Sequence, residues 1–246
     1  MTEQMCPEGD MPTFKAVLLD WVGTLIVPKW GPDHAGPKGA LWIEGALRRV
    51  GRDASLSEVR RISAALDAAI RRPEVARAMS GADASVESYG AGFRRWASAA
   101  GIDEVLMDAL LAELAQPDVA LFAVDVEPTL ATLKAAGVRV AVVSDVHFDI
   151  RPWFQKVGLD GYVDRFVLSF EHGVCKPDPA IFRLALDELG VAPSEALMVG
   201  DRSAYDGAGV EAGIATLLVP PLADATEERL HLVLASCGLR QPRTAF

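Results

Sequence analysis

Short apolar runs rich in Val, Leu and Ile recur along the chain, and each stops at a polar residue, a glycine or a proline. They are Ala16–Leu19 ahead of Asp20, Val138–Ser144, Arg165–Ser169, Ala196–Gly200 and Ala215–Val219. Such near-continuous runs predict strands buried on both faces of a parallel sheet. Between them lie segments of helical periodicity stopped by glycine, at Glu127–Gly137, Phe148–Gly158 and Asp178–Gly190, with a last one at Asp224–Gly238. Alternating strand and helix predict a doubly wound, Rossmann-like α/β fold with a three-layer α/β/α core.

Between Val27 and about Asp118 the pattern changes. A loop rich in Gly and Pro, Pro28–Pro37, leads into alanine- and arginine-rich helical stretches without a strand signal. This predicts an all-helical cap inserted at residues 28–118, and a core built from 1–27 and 119–246. Its joins, at Pro28–Pro37 and Gln116–Pro128, are hinge-like places where a lid could pivot.

A chain of 246 residues, half of them hydrophobic, can fill one large core or a core with a smaller inserted domain. The net charge of −10 is spread along the chain, which argues against nucleic acid and for a small-molecule partner. Cys6, Cys175 and Cys237 are too few and too scattered for a disulfide framework or a zinc cluster. The first residues lack a basic start followed by an apolar core, and no long stretch is free of charge. A cytoplasmic protein without a membrane partner is the expectation.

Ligands of such sheets gather at the carboxyl ends of the strands. Asp20 ends the first strand, Ser144 and Asp145 the second, and Gly200 and Asp201 the fourth, while Lys176 follows the third. Taken in order, DWVGTL at 20–25, VVSD at 142–145, KPDPAIF at 176–182 and VGDRSAYD at 199–206 resemble the haloacid dehalogenase-like superfamily of hydrolases, from Phe14 to about Val219. The resemblance implies that Asp20 is a nucleophile forming a covalent aspartyl intermediate. It implies that Thr24 and Ser144, with Asp145 beside them, bind a phosphate together with loop amides. Lys176 would neutralise nucleophile and transferring group. Mg2+ would be held by Asp20, Asp201 and the Val22 carbonyl, with Asp206 holding Lys176 or a metal-bound water. Read without the resemblance, an aspartate at a strand end serves as a turn former or helix cap, and two acids after Gly200 solvate a helix start.

Val22 departs from the phosphatase branch of the family, which carries there a second aspartate that protonates the leaving group and then activates water. Valine has no titratable group, and that work is worth roughly 100- to 10,000-fold. L-2-haloacid dehalogenases lack the aspartate too, but their last motif lacks the acid pair that Asp201 and Asp206 supply here. Phosphonoacetaldehyde hydrolases resemble the DWVGT stretch but use a cap lysine, and only Lys29 and Lys38 lie between the first two motifs, both in the Gly- and Pro-rich loop. What remains is a Mg2+-dependent phosphatase acting on a small phosphorylated metabolite, with His147 or His34 as a surrogate acid or base, or with a leaving group that needs no proton. C–P or C–halogen hydrolysis, or a catalytically weak binding protein, are the alternatives. The arginine-rich stretches 46–52, 58–63, 70–77 and 93–96 read as solvated cap faces paired with acids, from which some guanidinium groups could reach substrate. Trp21, Trp30 and Trp42 line the pocket or pack the lid.

Overall fold

The computed structural model of the chain describes residues 13–28, 40–114, 116 and 120–240. Cys6, Lys29, Trp30, His34 and Lys38 lie outside them. Five strands, β1 (Ala16–Leu19), β4 (Arg139–Ser144), β5 (Arg165–Leu168), β6 (Ala196–Gly200) and β7 (Ala215–Leu218), form one parallel sheet in the order β5-β4-β1-β6-β7. Successive side chains of a strand face opposite sides, and both sides here are covered. Val17, Leu19, Val140, Val142, Leu197 and Val199 pack toward the helices α6 (Val126–Ala135), α7 (Arg151–Lys156) and α10 (His231–Ser236). Ala16, Leu18, Ala141, Val143, Ala196 and Met198 pack toward α9 (Pro179–Leu189) and the 3-10 stretch Asp206–Ala212. That division makes the three layers. Chain order runs outward from β1 through β4 to β5 and then returns to β6 beside β1. The reversal puts the end of β1 at the crevice of the sheet.

Two short antiparallel strands, β2 (Ile26–Pro28) and β3 (Ala120–Phe122), pair where the chain leaves and re-enters the core. Sequence pattern placed only loops there, because three residues are too few to show a period. Between them lie α1 (Ala40–Arg49), α2 (Leu56–Ile70), α3 (Pro73–Met79), α4 (Val86–Ala99) and α5 (Glu104–Leu114). Ser55 starts α2 by accepting from the Glu58 amide, and Ser85 starts α4 by accepting from the Ser88 amide at 3.0 Å. These helices close on their own core, with Trp42, Leu66, Phe93 and Leu110 at its centre. Arg49 pairs with Glu113, Arg52 with Asp103, Arg61 with Glu58 and Arg94 with Asp108, each arginine being exposed.

Two predicted helices are shorter than their patterns. In Phe148–Gly158 the helix is Arg151–Lys156, because the Asp149 carboxylate accepts from the Arg151 amide at 3.0 Å and Pro152 opens the first turn. In Asp224–Gly238 it is His231–Ser236, because Asp224 folds a local turn onto Thr226 and Asp125 takes the amides of Arg229 and Leu230. The third strand ends at Leu168, and Ser169 opens a short helix, α8 (Ser169–His172); the last strand ends at Leu218. Among the described residues no helix is long and apolar enough to cross a membrane.

Candidate active site

The residue after β1 is Asp20, 6% exposed and tied to the neighbouring strand by its amide, which donates to the Val199 carbonyl at 2.9 Å. The chain then turns back at once. The amides of Leu25 and Ile26 both donate to the Trp21 carbonyl, at 2.8 and 3.1 Å, and the Gly23 amide donates to the Ile26 carbonyl at 2.9 Å. The turn needs a left-handed residue, and Gly23 sits at φ +84°. It also needs a bare one, since a Cβ on Gly23 would come within 2.6 Å of Asp201 Oδ2. Trp21, fully buried, packs edge-on against Trp153 beneath the turn, whereas Trp42 belongs to the core of the helical insert. Val22 is half-buried and packs against the sheet core.

Lys176 reaches this aspartate from the loop after α8. Its ammonium donates to Asp20 Oδ1 at 2.6 Å and to Asp206 Oδ1 at 2.7 Å, with the residue 5% exposed. Its backbone amide donates to Asp145 Oδ1 at 2.9 Å, so the residue directly after β4 holds the lysine's backbone. Asp206 spends its second oxygen on the Arg202 amide, at 2.9 Å. It lies directly over Gly200, where any Cβ would overlap its carboxyl group. Thr24 Oγ1 donates to Asp20 Oδ2 at 3.3 Å, and Ser144 is buried at the end of β4.

Asp20, Asp201 and Asp206 bring carboxylate oxygens within 4.8 Å of one another, a grouping that could hold a metal ion. Burial raises the Asp20 pKa to about 6, and Asp206 and Asp201 add to the rise while Lys176 opposes it. Burial also raises Asp145 and Asp201, with Asp206 pushing Asp201 in the same direction. Burial alone would lower Lys176, but Asp20, Asp206 and Asp145 outweigh it and hold the lysine above its ordinary value. Three carboxylates of the cluster face one ammonium, and the excess negative charge suits a hard divalent cation. Asp201 Oδ1 is buried without a hydrogen-bond partner among the described residues, as an oxygen reserved for such an ion would be.

The structure therefore brings Asp20, Thr24, Lys176, Asp201 and Asp206 into one cluster, with Asp145 holding the lysine's backbone. His147 faces the insert instead. Its Nδ1 lies 3.1 Å from Asp83 Oδ1, and its ring stacks on Tyr89. Asp83, Asp125 and Arg229 were not singled out from sequence. No motif surrounds them, and each gains its partner from a segment far along the chain.

A model of the haloacid dehalogenase-like hydrolases matches residues 14–213. Over 107 residues the chain is 38% identical to a ribulose-1,5-bisphosphate 5-phosphatase of Halopiger xanaduensis, covering 42% of this chain and 45% of that protein. The chain thus spans less than half the length of that curated relative. Among solved structures, a HAD phosphatase from Thermococcus onnurineus matches with a TM-score of 0.56 at 22% identity, over 85% of this chain and 88% of that one. L-2-haloacid dehalogenase from Xanthobacter autotrophicus matches with a TM-score of 0.58 at 22% identity, over 86% and 79%. One fold thus carries a phosphatase and a dehalogenase, and the likeness speaks for the fold alone. With the family match running from before β1 to past the 206–212 stretch, and the four sequence motifs meeting at one edge of the sheet, the chain belongs to the haloacid dehalogenase-like hydrolases.

Proposed function

We propose that the protein is a Mg2+-dependent phosphohydrolase of small phosphorylated metabolites, working through an aspartyl phosphate on Asp20. The observation that carries this reading is the division of labour among the three carboxylates. Asp206 commits both oxygens, to Lys176 and to the Arg202 amide, while Asp201 keeps a buried oxygen without a partner beside Asp20. A metal-free attack on carbon would have no use for that second acid. Asp20, Asp201 and the Val22 carbonyl would hold Mg2+, which when bound would screen the negative charge between nucleophile and phosphate.

In this reading Asp20 Oδ2, the oxygen not bonded to Lys176, attacks phosphorus as the bond to the leaving oxygen breaks. Lys176 stays protonated and stabilises the charge that builds on the transferring group. Thr24 and Ser144 offer hydroxyls to the phosphoryl oxygens. Water then attacks the aspartyl phosphate, releasing inorganic phosphate and restoring the carboxylate. Val22 can neither protonate the leaving oxygen nor take the proton of that water. His147, oriented by Asp83 from the insert, is our candidate for this proton traffic, with His34 the other; an acyl or enol phosphate would need no acid at the first step.

We assign residues 28–118 to a cap over a core of 1–27 and 119–246 in a cytoplasmic enzyme. Contacts between the two support the cap: Asp83 meets His147, and its carbonyl accepts from Ser169 Oγ at 2.6 Å. A screen of phosphorylated metabolites with Mg2+ tests the reading. Phosphate release that Asp20→Asn abolishes is expected; metal-independent halide release, or binding of phosphate esters without turnover, would overturn it.

A further inference from the structure

We propose that Arg229 is a positioning residue for the nucleophile loop, holding the peptide planes of Gly23 and Thr24 so that the Thr24 amide and hydroxyl stay presented to the reacting group. The inference rests on the phosphohydrolase reading for its kinetic readout alone.

Arg229 comes from the segment after β7, about two hundred residues beyond the loop it grips. One terminal nitrogen, Nη1, donates to the carbonyls of Gly23, at 3.2 Å, and Pro220; the other, Nη2, donates to the Thr24 carbonyl at 2.6 Å. The Leu222 amide donates to the same Gly23 carbonyl at 2.8 Å. The arginine is itself pinned. Its own amide and that of Leu230, the latter at 2.6 Å, donate to Asp125 Oδ2, and Asp125 is the 1%-exposed residue that opens α6. Arg229 thereby joins the nucleophile loop, the exit of β7 and the start of α6.

Burying a guanidinium is costly unless its donors are taken up, and removing one buried partner leaves the others unpaired. At 6% exposure, Arg229 spends both terminal nitrogens on three carbonyls, two of them in the nucleophile loop. Peptide geometry gives that grip a consequence. A trans peptide points its C=O and the following N–H in opposite directions. Fixing the Gly23 carbonyl on Arg229 fixes the Thr24 N–H away from it. That amide donates to no backbone carbonyl among the described residues. Only a fork with several donors can hold two successive carbonyls and a third from another segment, which a lysine ammonium cannot match in geometry.

The test uses the full chain with Arg229→Met and Arg229→Lys. Kinetics are measured with Mg2+ and a phosphate ester that the wild type turns over, and amide hydrogen exchange is followed in the peptide spanning 20–26. For Arg229→Met the expected result is kcat lower by about 10- to 100-fold, as for roughly 1 Å misplacements of reacting groups. KM should change by less than about 3-fold, because the ester is still bound by Lys176 and the Ser144 hydroxyl. Exchange in 20–26 should quicken by about 10-fold or more while α2 and α4 keep their protection. Arg229→Lys should fall between the two proteins, and it decides the matter if Arg229→Met does not fold. Unchanged exchange in 20–26, or a lowered melting temperature with unchanged kcat, would overturn the proposal. A wild type that turns over no phosphate ester counts against the phosphohydrolase reading, and the exchange measurement then decides the role of Arg229 by itself.

Discussion

Replacing Lys176 by methionine keeps its length and removes its charge, and the structure fixes how the cost should depend on pH. The ammonium makes two ion pairs, at 2.6 Å with Asp20 and 2.7 Å with Asp206, and all three side chains are no more than 9% exposed. Removing one member of a buried ion pair leaves the others uncompensated, at about 3–5 kcal/mol. The sign with pH follows from Asp20. Its folded pKa, about 6 with the lysine present, is already above the ordinary 3.8. A raised carboxyl favours the folded state at low pH, and that benefit is lost as pH climbs from the unfolded value through the folded one. At ~1.4 kcal/mol per unit, Asp20 alone makes wild-type stability about 3 kcal/mol lower above pH 6 than below pH 4. Without Lys176 the pKa rises further and the loss extends to higher pH. Urea unfolding of both proteins in EDTA at pH 4.5, 6 and 7.5 should show a deficit that is smallest at the lowest pH and grows to about 3–5 kcal/mol at the highest. A deficit independent of pH, or one that grows toward acid, would refute the account.

Three further outcomes follow from the same geometry. Asp201→Asn should weaken Mg2+ binding by at least about 10-fold in calorimetry, since it removes a charged ligand; wild-type binding should also weaken as pH falls through about 6, where Asp20 takes up a proton. Equal affinity in the mutant would place the ion elsewhere. Gly23→Ala should lose about 1–2 kcal/mol by thermal unfolding from left-handed strain alone, and should lose activity, because its Cβ would press on Asp201; an active protein of normal stability would show that the loop can relax. Val22→Asp should shorten the life of the aspartyl phosphate trapped from labelled acetyl phosphate, by about 10-fold or more if the new carboxylate takes the water's proton. A wild type that never retains label would mean that a resident base such as His147 is already at work.

The fold was legible where the physics is local. Parallel strands buried on both faces leave continuous apolar runs, and helices packed on them end at glycines such as Gly137 and Gly190, both of which sit at positive φ. Legibility failed where a side chain from elsewhere decides the backbone. Glu227–Leu230 carries a helical pattern, yet the Asp125 carboxylate, about a hundred residues away, takes two of its amides and delays α10 to His231. The β2–β3 pair exists because the insert's two joins meet at the core, and neither join shows this alone.

The active-site cluster divides along the same line. Asp20, Lys176, Asp201 and Asp206 are visible because each follows a strand or a motif whose end is fixed by short-range pattern, and the sheet order then delivers them to one edge. Arg229 and Asp83 are invisible because nothing near them in the chain distinguishes them from surface charges. The motif supplies Asp20 and Thr24, but the carbonyls of Gly23 and Thr24 are held by Arg229, from the far end of the chain. The motif places a valine at position 22, and Asp83 of the insert lies 3.1 Å from Nδ1 of His147, which follows β4. Motif residues can be read from sequence because they share short segments, whereas the groups that restrain them are chosen by tertiary contact and can come from any segment that reaches. In this family member, with valine at position 22, differences between it and its relatives should therefore trace to such distant restraints as much as to the motifs themselves.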